Sequence, residues 1–132
     1  DYRIVNLEAP VTTNTPQNRI LKTGAHLRSE AETLLPYLKQ LKVEMVTLAN
    51  NHILDYGTIG LSKTFSTLEE NKINYVGAGN NLQEAAKQFT LEKNGMKIAV
   101  LNFAENEWSI AEEDKPGANP RYYRQYKTDK NC

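Results

Sequence analysis

The run Val43-Glu44-Met45-Val46-Thr47-Leu48-Ala49 passes directly into Asn50-Asn51-His52-Ile53-Leu54-Asp55-Tyr56-Gly57, and this junction decides the fold. Its first half is short and mostly apolar, the pattern of a strand over 43–49. Its second half is rich in Asn, Asp and Gly, the residues that close turns. Leu61, Phe65 and Leu68 follow at helical spacing and predict a helix over about 58–71. On the other side, Leu34, Leu38 and Leu41 predict a helix ending near residue 42. Ser29-Glu30-Ala31-Glu32 fits a capping box at its start, Ser29 bonding the third amide and Glu32 reaching back. Pro36 lies inside this helix and should kink or restart it, because proline has no amide to donate.

Outward from this centre the alternation continues. Residues 2–7 (Tyr-Arg-Ile-Val-Asn-Leu) read as a first strand, and 9–24 as a long loop carrying Pro10, Pro16 and Gly24. Residues 73–76 read as a third strand, stopped by Gly77-Ala78-Gly79, and 82–88 as a short helix. Residues 89–93 and 96–103 predict a β-hairpin about Asn94-Gly95, since a type I′ turn needs positive φ at both central positions. Strands alternating with helices imply right-handed crossovers, hence an α/β fold with a mostly parallel sheet, flanking helices and one hairpin. Beyond Phe103 the composition changes. Residues 105–114 hold five acids, and 121–130 hold four bases interleaved with Tyr122, Tyr123 and Tyr126. That last stretch has the spacing of an amphipathic helix. Aromatics among bases also suit single-stranded nucleic acid, but a solvated helix packing its tyrosines on its own domain is the plainer reading.

The chain has 132 residues, a single domain's worth, read as an α/β core over 1–103 and a polar carboxyl-terminal segment over 104–132. Folding at this length buries roughly two-thirds of the surface the unfolded chain exposes. The apolar fraction of 39% is low and the mean hydropathy is −0.62, so the core is either small or shared with further sequence. The chain opens directly on a strand-like run and closes on a polar stretch, as a piece of a longer domain would. Sixteen basic and sixteen acidic residues balance to zero, which gives no electrostatic footprint for a nucleic-acid partner. No apolar run approaches the roughly 18 residues of a membrane span, and no signal peptide opens the chain. The lone Cys132 excludes an internal disulfide and a cysteine-based metal cluster.

In an open parallel sheet, ligands bind beyond the carboxyl ends of the strands. The first strand ends at Asn6-Leu7-Glu8 and the second at Ala49-Asn50-Asn51-His52, so Glu8, Asn51 and His52 are expected on one edge. A carboxylate and a carboxamide oxygen are hard ligands for a divalent cation. A histidine beside them binds metal or moves a proton. Asp55 is placed to orient His52 through its ring N–H. Each has a plain alternative. Glu8 reads equally as an exposed loop acid, Asn50 and Asn51 as turn residues, His52 as a satisfied histidine, and Asp55 as the N-cap of the following helix. Lys22 and His26, in the first long loop, read as ordinary surface residues.

Residues 48–57, LANNHILDYG, resemble the LANNHxxDxG signature of the CapA/PgsA family of bacterial capsule proteins, linked to poly-γ-glutamate synthesis. Residues 1–10, DYRIVNLEAP, are similar to its aDxxxxNLE segment, and Gly77-Ala78-Gly79 and residues 94–101 to its later GxG and strand pattern. The likeness runs in order over about residues 1–105. It implies a calcineurin-like metallophosphoesterase fold, present here as a partial domain. The family's Gly-Asp, His-Trp-Gly-x-Glu and Gly-His-x-Pro-His segments do not occur in this sequence.

The resemblance implies roles residue by residue. Asn51 matches the superfamily's metal-ligating asparagine and His52 its neighbouring proton-donating histidine. Glu8 stands where a second acid bridges two metals, and Asp55 matches the signature. A complete site would hold two divalent cations (Mn, Mg, Fe or Zn), absent or weakly held by this segment alone. The implied function is capsule or poly-γ-glutamate biosynthesis, either as a metal-dependent hydrolase of a phosphoester or amide bond or as a non-catalytic accessory protein that binds or transports polyglutamate. The implied partners are synthetase subunits and an anionic polymer at the cell surface, with membrane association through sequence outside this segment. Self-association of the segment is a further expectation.

Overall fold

The computed structural model describes residues 1–121. Elements follow in the order β1 (Ile4–Asn6), a 3-10 turn (Pro16–Asn18), α1 (Ala31–Gln40), β2 (Met45–Thr47), α2 (Gly57–Glu70) and β3 (Asn74–Val76). Then come β4 (Ala78–Gly79), α3 (Leu82–Ala85), β5 (Phe89–Lys93), β6 (Met96–Val100) and β7 (Gly117–Ala118). The expected amphipathic helix over 121–130 lies, but for Arg121, outside the described residues.

β1, β2 and β3 form a parallel sheet in that order, with Val5 opposite Val46 and Val46 opposite Tyr75. Parallel neighbours require a crossover, and α1 and α2 supply the two. The central strand is buried on both faces, Met45 and Val46 at 0% exposure, as parallel strands covered by helices are. The core gathers Leu7, Val11, Leu38, Leu48, Ile53, Leu61, Phe65 and Leu68 around it. Leu38, Leu61, Phe65 and Leu68 are among the residues whose spacing predicts α1 and α2, whereas Leu41 is exposed. Thr64, fully buried on α2, donates to the Gly60 carbonyl at 2.8 Å and accepts from the Val11 amide at 2.8 Å, fastening the first loop to the helix.

β5 and β6 make the expected hairpin, with Asn94 at φ +53° and Gly95 at φ +75° in its turn. Three details differ from the sequence reading. α3 closes after one turn rather than running to residue 88. α1 continues through Pro36 as a single helix. The capping box does not form: Ser29 spends its backbone on Pro10 and Thr12, bonds of 2.9 Å each, and Glu30 becomes the N-cap without a side-chain bond.

The segment after Phe103 folds back on the sheet. β7 pairs antiparallel with β4, and Ser109, Ala111, Ala118 and Asn119 are buried. Asn119 donates from its amide to the Gly77 carbonyl at 2.8 Å and from its side chain to the Asn102 carbonyl at 2.9 Å. Asn102 in turn accepts from the Ala49 amide at 2.6 Å. Gly77 must be glycine here: its φ is +97°, and a Cβ would stand 2.2 Å from the Asn102 side-chain oxygen.

Candidate functional site

The loop leaving β2 is shaped by its own asparagines. Asn50 donates to the Leu7 carbonyl at 3.0 Å, tying β1 to β2, and its oxygen accepts from the His52 amide at 3.0 Å. Asx turns of this kind let Asn replace a backbone bond with a side-chain one. Ser109 braces the next residue, donating to the Asn51 carbonyl at 2.8 Å. The loop is thus held from the strand below and from the returning segment beside it.

This geometry brings Glu8, His52 and Asp55 together at the carboxyl ends of β1 and β2. His52 Nδ1 lies 2.7 Å from Asp55 Oδ2, and His52 Nε2 lies 3.9 Å from Glu8 Oε1. An ionised carboxylate only accepts, so Nδ1 carries a proton and donates it to Asp55. Nε2 is left facing Glu8 and the solvent. The Glu8 side chain is 55% exposed and that of His52 19%. Asn51 is the next residue in the chain, and among the described residues no hydrogen bond holds its carboxamide.

Asp55 is not the N-cap of α2. Tyr56 takes that position, and the Asp55 side chain is fully buried and turned towards the site. Its Oδ2 accepts from the Leu27 amide at 2.7 Å as well as from His52, and its Oδ1 pairs with Lys22. Lys22 therefore corrects the surface reading: its side chain is only 5% exposed. Its ammonium also stands 3.2 Å from His52 Nδ1, but two donors cannot bond, so Asp55 is the shared partner of both. His26 is likewise engaged, 2.8 Å from the Ile20 carbonyl and edge-on to the Tyr56 ring. No spacing rule would have found Lys22, because thirty-three residues separate it from Asp55.

The donor set suits a hard divalent cation in kind but not in number. Glu8 and Asn51 supply one carboxylate and one carboxamide, whereas such ions seek about six oxygens. Among the described residues no group of three or more His, Cys, Asp or Glu is placed to hold a metal. A larger hollow of about 1220 Å³, lined by Arg3, Pro36 and Ile73, lies by the amino ends of the strands and contains none of these residues.

The chain thus combines a parallel α/β sheet with a Lys22–Asp55–His52 cluster at the carboxyl edge of its strands. The chain belongs to the bacterial capsule synthesis protein PGA_cap family, whose model matches residues 1–131. It is 31% identical over 121 residues to the capsule biosynthesis protein CapA of Bacillus anthracis, covering 89% of this chain and 29% of that protein. It is 32% identical over 123 residues to the PGA biosynthesis protein CapA of Bacillus subtilis (strain 168), covering 91% of this chain and 32% of that protein. A probable polyglutamine synthesis accessory protein of Mycobacterium tuberculosis is 33% identical over 89 residues, covering 63% of this chain and 23% of that protein. The chain thus spans about a third or less of the length of these curated relatives.

Proposed function

We propose that this chain carries the acid–base part of a hydrolytic site in a capsule, or poly-γ-glutamate, biosynthesis protein, acting on a phosphoester or amide bond. The observation that carries the reading is His52, held by buried Asp55 at 2.7 Å with Nε2 turned towards Glu8 and solvent. In this reading His52 carries protons on both ring nitrogens: water attacks the phosphorus or carbonyl carbon, the bond to the departing oxygen or nitrogen breaks as that atom takes the Nε2 proton, and the attacking water gives up its own proton to solvent, which reprotonates Nε2. Asp55 keeps the other ring proton in place, and Lys22 holds Asp55 against rotation. Glu8 and Asn51 contribute two oxygens towards divalent cations whose remaining ligands come from outside these residues. The 132-residue chain alone is accordingly expected to bind Mn²⁺ no tighter than about millimolar by calorimetry. Micromolar binding abolished by Glu8→Ala would contradict this.

The test uses the full-length protein with a chromogenic phosphodiester and a γ-glutamyl anilide. General acid help is worth about 10²–10⁴-fold, so His52→Ala should lower kcat by that factor with little change in thermal stability. If capsule polymer is made normally with His52→Ala but not with Glu8→Ala, the second reading stands: an accessory protein that holds or moves the anionic polymer. One relative's printed name includes the word accessory. In either case we place the protein at the extracytoplasmic cell surface beside synthetase subunits. None of the described helices is long and apolar enough to cross a membrane.

A further inference from the structure

A second cleft opens beside the candidate site, on the far side of the Asp55–Tyr56 turn. It measures about 590 Å³ and is bounded by Arg19, His26, Arg28 and Glu30, with Tyr56 at its base. That volume falls within the range of small-ligand sites, about 300–1,000 Å³. We propose that this cleft binds carboxylate groups of an anionic chain; the inference rests on the functional reading above and specifies its substrate class.

The charge is the first argument. The whole chain is neutral, yet two guanidinium groups face this cleft against one carboxylate, Glu30. Glu30 is taken by Arg28, whose Nη1 donates to it at 2.6 Å. Arg19 has only neutral partners among the described residues: Nε donates to the Tyr56 hydroxyl at 3.2 Å and Nη2 to Asn14 at 3.0 Å. Its guanidinium carbon also sits 5.5 Å from the centre of the Tyr56 ring. Tyr56 itself is 1% exposed, so this support does not move.

Pre-organisation is the second argument. A guanidinium held through Nε on the Tyr56 hydroxyl and one Nη2 proton on Asn14 offers its Nη1 protons and the second Nη2 proton to an incoming oxyanion. Planar bidentate recognition of carboxylate is what arginine does best. Holding the side chain in place beforehand removes the ordering cost that usually weakens such contacts. Position is the third. The Leu27 amide, between His26 and Arg28 in the chain, donates to Asp55 Oδ2 at 2.7 Å, and Tyr56 follows Asp55. One stretch of backbone therefore forms both the cleft wall and the support of His52.

The test is calorimetric titration of the full-length protein with a five-residue γ-linked glutamate oligomer at low and moderate salt. Arg19→Gln and Arg28→Gln are each expected to weaken affinity about tenfold and to flatten its salt dependence. Arg19→Lys should recover part of the loss, since it restores charge but not the fork. Lys97→Gln on the hairpin should change nothing. The proposal is overturned if the double variant Arg19→Gln, Arg28→Gln, still folded by circular dichroism, binds the oligomer as tightly as the wild type. It is equally overturned if the wild type shows no oligomer binding, or if inorganic phosphate displaces the oligomer at equal concentration. A wild type that binds through the arginines but cleaves nothing would refute the hydrolase reading and uphold this one.

Discussion

Lys22 carries the sharpest consequence at the scale of single residues. Its ammonium neutralises a carboxylate with no exposed surface, so removing it strands a charge in the interior. Breaking one partner of such a pair costs about 3–5 kcal/mol. Lys22→Met should therefore lower the unfolding free energy of the 132-residue chain by about that amount in urea titration. The double variant Lys22→Met, Asp55→Asn should recover a large part, because nothing charged is then buried. Equal losses in the single and double variants would show that the two groups are not coupled. The same burial means that Asp55→Asn tests stability as well as catalysis, whereas His52→Ala, at the rim, tests catalysis. His52 and Asp55 were legible because three residues separate them in one turn. Lys22, Asn102, Ser109 and Asn119 were not. Each makes its bonds to a distant segment, and a lone polar residue in a loop looks the same whether it faces solvent or a buried partner.

Elements were legible where side-chain periodicity and burial agree. Leu61, Phe65 and Leu68 announce α2 because the same face that repeats in sequence is the one that packs. Helix ends were harder. Neither α1 nor α2 is stopped by glycine: Lys42 and Lys72 follow them at φ +52° and +55°, in the left-handed region. There the Val43 amide reaches back to the Leu38 carbonyl at 2.9 Å and that of Ile73 to Leu68 at 3.0 Å. This is the closure glycine normally permits, made here by lysines whose charge suits a helix carboxyl end. The start of α1 misled for a related reason, since Ser29 is claimed by strand-like pairing before it can cap. Pro36 offers the test at this scale. It is exposed, touches no core residue's role, and withholds an interior helical bond, a defect worth about 3 kcal/mol in a helix interior. Proline also restricts the unfolded chain, which returns about 0.4–1 kcal/mol. Pro36→Ala should thus stabilise the domain by about 2–2.6 kcal/mol, read as a higher thermal midpoint. No gain would mean that α1 tolerates the ring without losing a bond that matters.

At the scale of the whole molecule, the parallel order β1-β2-β3 follows from alternation, but the return of 104–121 does not. β4 and β7 are two residues each and lie far apart in sequence, so no period marks them, and their glycines and alanines carry little hydrophobic signal. The low apolar fraction has its counterpart in what the surface shows. Met96 and Ile98 on β6 are 60% and 41% exposed, and Leu101, Phe103 and Trp108 each about half. Met96 and Ile98 stand opposite Lys93 and Leu91 across the hairpin, so the apolar side chains share one face. Isolated exposed apolar residues are unremarkable, but contiguous ones mark association. The 132-residue chain should therefore show a weight-average mass in sedimentation equilibrium that rises with concentration in the tens of micromolar. Reductant must be present throughout, so that a bridge between Cys132 residues does not imitate the effect. Met96→Lys with Ile98→Lys should return the chain to a single species without lowering its unfolding midpoint, because neither side chain belongs to the core. A constant monomer mass in the unaltered chain would mean that this face, although apolar, is too small or too interrupted by Lys93 to hold a second surface.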